Sequence, residues 1–341
     1  MHRIPVRILD VFRKAPRIML CIIRGLQRYP VLWRLGIVAV LFLILLYYVR
    51  PHEIIGAFRR ARPVYLWIAV ALMAPSLFLQ VCKWNYLLGT TRPRPPLKYA
   101  ILSLIGGFFL GAVSPARTGE LARGFLIPGQ SKLKIASLTV LDKGFNHATT
   151  YTAAFISLFL ALPWPLKLIP LAAEVALVIA LANIHRFRPF IERVCRRFSQ
   201  KQTAANALAL FDALSRRTVV VMIGFSIAFF LTYTIQFYFI ILCFTDLHWL
   251  IAAKTIPIVY AINLVMPITI GDLGVKEMAS VKLFSPFGIA GGAAFSASFT
   301  QNVITFIIPS IIGGFILAAG SQMRHREARS SAGRTAPSTE K

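Results

Sequence analysis

Long apolar blocks constrain this chain more than any other feature. A hydrocarbon core needs about 20 apolar residues per helix, and about 18 already make a candidate. Segments 35–49, 64–82, 145–162, 165–184, 218–244 and 289–320 meet or approach that length. Two further blocks, 99–114 and 251–270, each end in proline and glycine and then run into charged residues. The pattern predicts an all-α polytopic membrane protein with about six full spans plus two re-entrant or broken helical hairpins. Composition agrees, because 57% of residues are hydrophobic and only 15% charged, against about 25% in soluble domains. Ordinary soluble, disordered and collagenous chains are excluded. Four scattered cysteines without CxxC spacing give neither a zinc site nor a disulfide framework.

Charge sets orientation. The chain has 38 Lys and Arg against 12 Asp and Glu. These bases flank apolar blocks and no nucleic-acid motif accompanies them, so they point to an anionic membrane surface rather than to nucleic acid. Eight bases lie in 1–34, eight in 185–217 and five after Met323. By the positive-inside rule all three regions are cytoplasmic, which holds only if both broken segments enter and leave on one face. Residues 1–34 then form a basic cytoplasmic segment and 35–320 the transmembrane domain. The block at 35–49 is a retained signal anchor, and the polar run 321–341 a disordered basic tail. Residues 50–63 carry four arginines on the opposite side. An interfacial amphipathic helix with Ile54, Ile55 and Phe58 on one face would account for them.

The two breaks resemble each other. One reads Pro115-Ala116-Arg117-Thr118-Gly119-Glu120-Leu121-Ala122-Arg123 and the other Pro267-Ile268-Thr269-Ile270-Gly271-Asp272-Leu273-Gly274-Val275-Lys276-Glu277. Both follow Pro-x-x-x-Gly-acid-Leu with a base three or four residues after the acid. Paired Gly/Pro interruptions in two halves of a membrane protein point to an inverted-repeat arrangement around a midplane site. Such breaks free backbone groups, which is tolerable only against protein or a wet cavity. Half-helices starting near Gly119 and Gly271 would aim N–H groups at an anion. Arg117 and Arg123 suit a phosphate, and Lys276 adds a point charge from the other half. Glu120, Asp272 and Glu277 could pair with those bases in an empty site, or bind an amine headgroup.

Asp142 and Lys143 precede an apolar run. Adjacent helical residues diverge, so each is expected to seek a partner on another segment, such as Arg123 or Glu120. Glu174, the only acid in its block, reads as a coupling site, a partner of Lys167 or an interfacial residue. His147 lacks a nucleophile elbow or paired metal ligands around it. Neither catalytic nor metal-ligating residues are assigned, and no cofactor is called for. Pairs such as Gly106-Gly107, Gly291-Gly292 and Gly313-Gly314 read as close helix packing.

Lys83-Trp84-Asn85-Tyr86-Leu87-Leu88, the Pro115–Arg123 motif, Val140-Leu141-Asp142-Lys143, the Pro267–Glu277 stretch and Phe287-Gly288 occur in an order that resembles the lysylphosphatidylglycerol synthase transmembrane, or flippase-like, family. The similarity covers roughly 35–320. Asp272 stands where the family usually has glycine, and Asp142-Lys143 where Glu-Arg is usual. The resemblance implies a bacterial or archaeal plasma-membrane (inner-membrane) protein that moves an anionic phospholipid or lipid-linked phosphate between leaflets. It implies no synthase activity, since the family's soluble aminoacyltransferase domain would follow the last span. A second reading is a non-transporting subunit that presents lipid to a separate membrane-associated glycosyl- or aminoacyltransferase. A third, weaker one is an intramembrane enzyme acting on lipid phosphates through Asp142 and His147. Oligomeric state is left open.

Overall fold

In a computed structural model of the protein, residues 51–112, 114–183, 186, 188–189, 192–193, 208–265 and 274–318 are described. The 35–49 block, segment 1–34, the tail 321–341 and the second break at Gly271 and Asp272 lie outside them. All regular elements among the described residues are helical.

The chain runs through α1 (Pro51–Arg59), α2 (Pro63–Ala71), α3 (Met73–Leu88), α4 (Leu97–Ala112), a 3₁₀ segment (Pro115–Leu126), α5 (Lys132–Ala161) and α6 (Leu168–Ala182). It continues through the short α7 (Ala209–Asp212), α8 (Arg216–Phe244), α9 (Trp249–Val265), α10 (Val275–Phe284) and α11 (Gly291–Asn302). A π-turn at Val303–Ile307 follows α11, and the helix then runs on to Ala318. Local chemistry sets several starts. Pro63 occupies the first turn of α2, where its missing N–H costs nothing. Ser131 and Ser215 cap α5 and α8, accepting from the Lys134 and Thr218 amides.

Among the described residues, three helices are long and apolar enough to cross a membrane: Pro63–Leu88, Arg216–Phe244 and Gly291–Ala318. They correspond to three of the expected spans. The block at 145–162 lies in the 30-residue α5, which starts earlier and carries Asp142 and Lys143 inside the helix. The block at 165–184 is the shorter α6. The first interrupted block is α4, of 16 residues, followed at once by the 3₁₀ segment; the second is α9, described as far as Val265. Trp67, Phe78, Ile169, Val220, Leu231 and Phe315 stand exposed on the outer faces. So much exposed apolar surface suits hydrocarbon rather than water as the surrounding solvent.

The 50–63 segment contains a helix, α1, with Ile55 and Phe58 exposed. Ile54 turns inward to the Phe295 cluster, so the three residues do not share one free face. At the far end of α8, Arg62 grips Asp246 with two hydrogen bonds of 2.5 and 2.7 Å. The Arg62 hydrogen bond is the main reason the Asp246 carboxyl sits below its ordinary value. The pair's contribution is therefore present above the unfolded carboxyl value and lost as pH falls through the lowered one. Because both side chains are exposed, Asp246→Asn is expected to leave the thermal midpoint in high salt nearly unchanged; a clear drop there would show the pair to be structural.

Besides the small Phe295 cluster, packing among the described residues forms two large ones. Trp84, Leu104, Phe108, Leu138, Met222 and Phe306 belong to the first. Phe237, Ile256, Val259, Phe284, Ala294 and Ile304 belong to the second. The first gathers α3, α4 and α5 with the start of α8. The second gathers the end of α8 with α9, α10 and α11. The charged residues lie where the two meet.

Candidate functional site

The first wall is built by α4, the 3₁₀ segment and α5. Pro115 opens this segment, which winds as twelve residues of 3₁₀ packed against α4. Arg117 has a left-handed φ of 54°, the one positive φ outside glycine among the described residues. Such a conformation is uncommon for a side-chain-bearing residue and clusters at functional sites. Gly107 and Gly111 on α4 leave room for the side chains of Arg123 and Glu120. A Cβ on Gly107 would stand 2.6 Å from Arg123 Nε, and one on Gly111 would stand 2.9 Å from Glu120 Cγ.

Into that space the segment folds a charge cluster. Glu120, 2% exposed, receives three cations. Its Oε1 lies 2.7 Å from Arg117 Nε and 3.0 Å from Lys143 Nζ, and its Oε2 2.7 Å from Arg123 Nη2. Asp142 lies 3.1 Å from Lys83 Nζ and 3.6 Å from Arg123 Nη1. Lys83 also donates to the Asp142 carbonyl and to Asn146 Oδ1. The adjacent pair Asp142-Lys143 thus finds separate partners on the 3₁₀ segment, as its helical geometry requires. Arg123 lies over the Trp84 ring and Arg117 over the Phe306 ring, at 5.3 and 4.2 Å. Both contacts are within cation–π range.

The second wall comes from α8, α9, α10 and α11. Lys276 is 1% exposed, and among the described residues its ammonium has no carboxylate within salt-bridge distance. It donates to Asn302 Oδ1 at 3.3 Å and is ringed by Tyr233, Phe237 and Tyr260 at 5.3–5.9 Å. Glu277 faces elsewhere. Its Oε2 accepts from the Gly274 amide at 2.6 Å, and its Oε1 from Asn302 Nδ2 at 2.9 Å and Ser298 Oγ at 3.5 Å.

Between the walls lies a cavity of about 180 Å³, lined by Arg117, Glu120, Arg123, Asp142, Lys143 and Lys276, with His147 also on its wall. A single water needs roughly 10–15 Å³ on this measure, so the space is large enough for a headgroup-sized polar group. Met73, Leu77, Phe229, Phe230 and Leu264 give the same cavity an apolar side.

Not every expected residue faces this space. Gly119 serves packing. Its amide donates to Ser114 Oγ at 2.6 Å, and a Cβ there would run into the Leu110 carbonyl. The expected free N–H at Gly119 is therefore already taken. At the start of α10 the anion at the helix N-terminus is the protein's own Glu277 carboxylate. Gly271 and Asp272 lie outside the described residues. Glu174 pairs with Thr152 at 3.0 Å, not with Lys167, whose ammonium lies over the Phe159 ring. Five of the six paired glycines sit at close approaches: Gly107 as described, Gly106 against Leu126, Gly292 against Glu53, Gly313 against Ile105 and Gly314 against Phe109.

Sequence reasoning missed Lys83, Asn146, Asn302 and the aromatic ring around Lys276. Lys83 carried a usable signal, since a lysine at the end of an apolar block can pair inward as well as snorkel. The aromatics carried none, being scattered among many others in apolar helices.

Residues 31–313 match the family described as the lysylphosphatidylglycerol synthase TM region. The chain belongs to that family. A UPF0104 membrane protein of Methanothermobacter thermautotrophicus is 22% identical over 341 residues, covering 88% of this chain and 96% of the relative. Membership and the apolar helices together make it a membrane protein.

Proposed function

We propose that this family member is a lipid translocase. It moves an anionic phospholipid or a lipid-linked phosphate between leaflets of an inner membrane, with both termini cytoplasmic. The observation that carries the reading is a cavity whose cations come from both halves of the chain, Arg117 and Arg123 on one side and Lys276 on the other. Arg117 and Arg123 already share Glu120, but among the described residues Lys276 is buried without a carboxylate in salt-bridge distance. A buried cation needs a counter-charge, and a lipid phosphate would supply one while the apolar side of the cavity accommodates the start of the acyl chains. The shortness of α4, followed by the 3₁₀ segment that carries site residues, and the matching Pro-x-x-x-Gly-acid-Leu pattern at 267–273 support re-entrant hairpins in an inverted repeat. Alternating access would then expose the same charged wall to each leaflet in turn.

The test is leaflet-resolved transport of fluorescent anionic lipids in proteoliposomes. Arg117→Gln and Lys276→Gln are expected to slow transport at least about tenfold, the lower range for losing a hydrogen bond to a charged group. Equal rates in wild type, variants and protein-free vesicles would remove the translocase reading. Saturable lipid binding without movement would favour presentation of lipid to a separate transferase instead.

A further inference from the structure

We infer that the cavity selects a lipid whose phosphate carries two negative charges, a phosphate monoester or diphosphate, over phosphodiester and amine-bearing headgroups. This rests on the translocase reading and narrows its substrate class. It follows from a charge count. Lys83, Arg117, Arg123, Lys143 and Lys276 supply five positive charges at or behind the cavity wall, against three negative ones from Glu120, Asp142 and Glu277. Among the described residues the excess is two. One negative charge would leave a buried cation uncompensated, whereas two would not. A phosphate monoester carries about −1.5 to −2 at neutral pH, and a diester carries one charge.

The distribution of partners points the same way. Glu120 is engaged by three cations, Asp142 by two and Glu277 by an amide and the Asn302 side chain. An ammonium headgroup entering here would have to displace one of these partners to reach a carboxylate. The cations are less satisfied. Among the described residues Arg123 Nη1 is buried without a hydrogen bond and has only the long 3.6 Å ion contact to Asp142, and Lys276 has only an amide oxygen and three ring faces. These two groups line one cavity from its two walls, so a phosphate bound there would have a cation on each side. The apolar residues beside them suit a lipid as the bearer of the phosphate.

The decisive comparison uses lipids that share their tails. Purified protein in phosphatidylcholine nanodiscs is titrated with phosphatidic acid, phosphatidylmethanol, phosphatidylethanolamine and an aminoacylated phosphatidylglycerol, with inorganic pyrophosphate as a soluble competitor. Phosphatidic acid is expected to bind at least about tenfold more tightly than its methyl ester. Arg117→Gln, which removes one charge at the least buried arginine of the cluster, is expected to shrink that ratio severalfold. Equal affinities for the acid and its methyl ester overturn the two-charge inference and leave the anionic-lipid reading standing. Tightest binding of an amine-bearing lipid overturns both. Pyrophosphate that displaces as readily as phosphatidic acid assigns the selectivity to a soluble anion and overturns the lipid part. A ratio unchanged in Arg117→Gln overturns the charge count as its cause.

Discussion

Glu120→Ala is expected to destabilise the protein by about 3–5 kcal/mol, the range for removing one partner of a buried ion pair. The carboxylate is the common neighbour of Arg117, Arg123 and Lys143, and it is only 2% exposed. Without it, three cations crowd together with only Asp142 near one of them. The loss should appear as a lower thermal midpoint and a shorter half-life in detergent. Two companions separate charge from cavity. Glu120→Gln keeps the shape and should lose nearly as much, because it leaves the same cations unbalanced. Adding Lys143→Ala to Glu120→Ala should cost clearly less than the two single losses combined, since one orphaned charge goes with its partner. A midpoint unaltered by Glu120→Ala, or strictly additive behaviour in the double variant, would falsify the view that these charges stabilise each other.

Gly119→Ala is expected to cost about 3 kcal/mol, at the upper end of overpacking effects. The added methyl would meet the Leu110 backbone carbonyl and the Ser114 hydroxyl, and the backbone carbonyl cannot rotate aside. Accommodation requires the 3₁₀ segment to lift from α4, which carries Glu120 and Arg123 away from their places. Gly144 and Gly224 are the controls. Each lies in a helix with nothing within 4 Å of an added Cβ, and alanine there should be neutral or stabilising by up to about 1 kcal/mol. Stability is read from thermal unfolding of the purified variants. Should Gly119→Ala behave like the two controls, the close approach of the segment to α4 is not a constraint on the fold.

The helical architecture was readable because hydrocarbon leaves few choices. Apolar blocks of span length must be helices when every backbone group has to be satisfied internally. The first wall was readable for a related reason. Asp142 and Lys143 cannot pair with each other on a helix, so two opposite charges on another segment had to exist, and Arg123 and Glu120 were available. The second wall was less so. Lys276 was found through its break, but Tyr233, Phe237 and Tyr260 come from α8 and α9, and nothing in their spacing brings them around one ammonium. The expected anion-binding amide failed for a local reason. Ser114 lies five residues before Gly119, and its hydroxyl takes the N–H first. Twelve residues of 3₁₀ were equally invisible, since only the fit against α4 decides between that winding and a regular half-helix.

Ile304 and Phe306 are two residues apart, yet they are buried in different clusters. Both sit in the wide turn at Val303–Ile307, immediately after Asn302 and beside Thr305, which lines the cavity. A turn of that pitch replaces the usual i→i−4 ladder with longer-reaching bonds, so its residues are held less uniformly than their helical neighbours. The two packed bodies therefore share this turn, and one irregular stretch of five residues feeds both cores and the cavity wall between them.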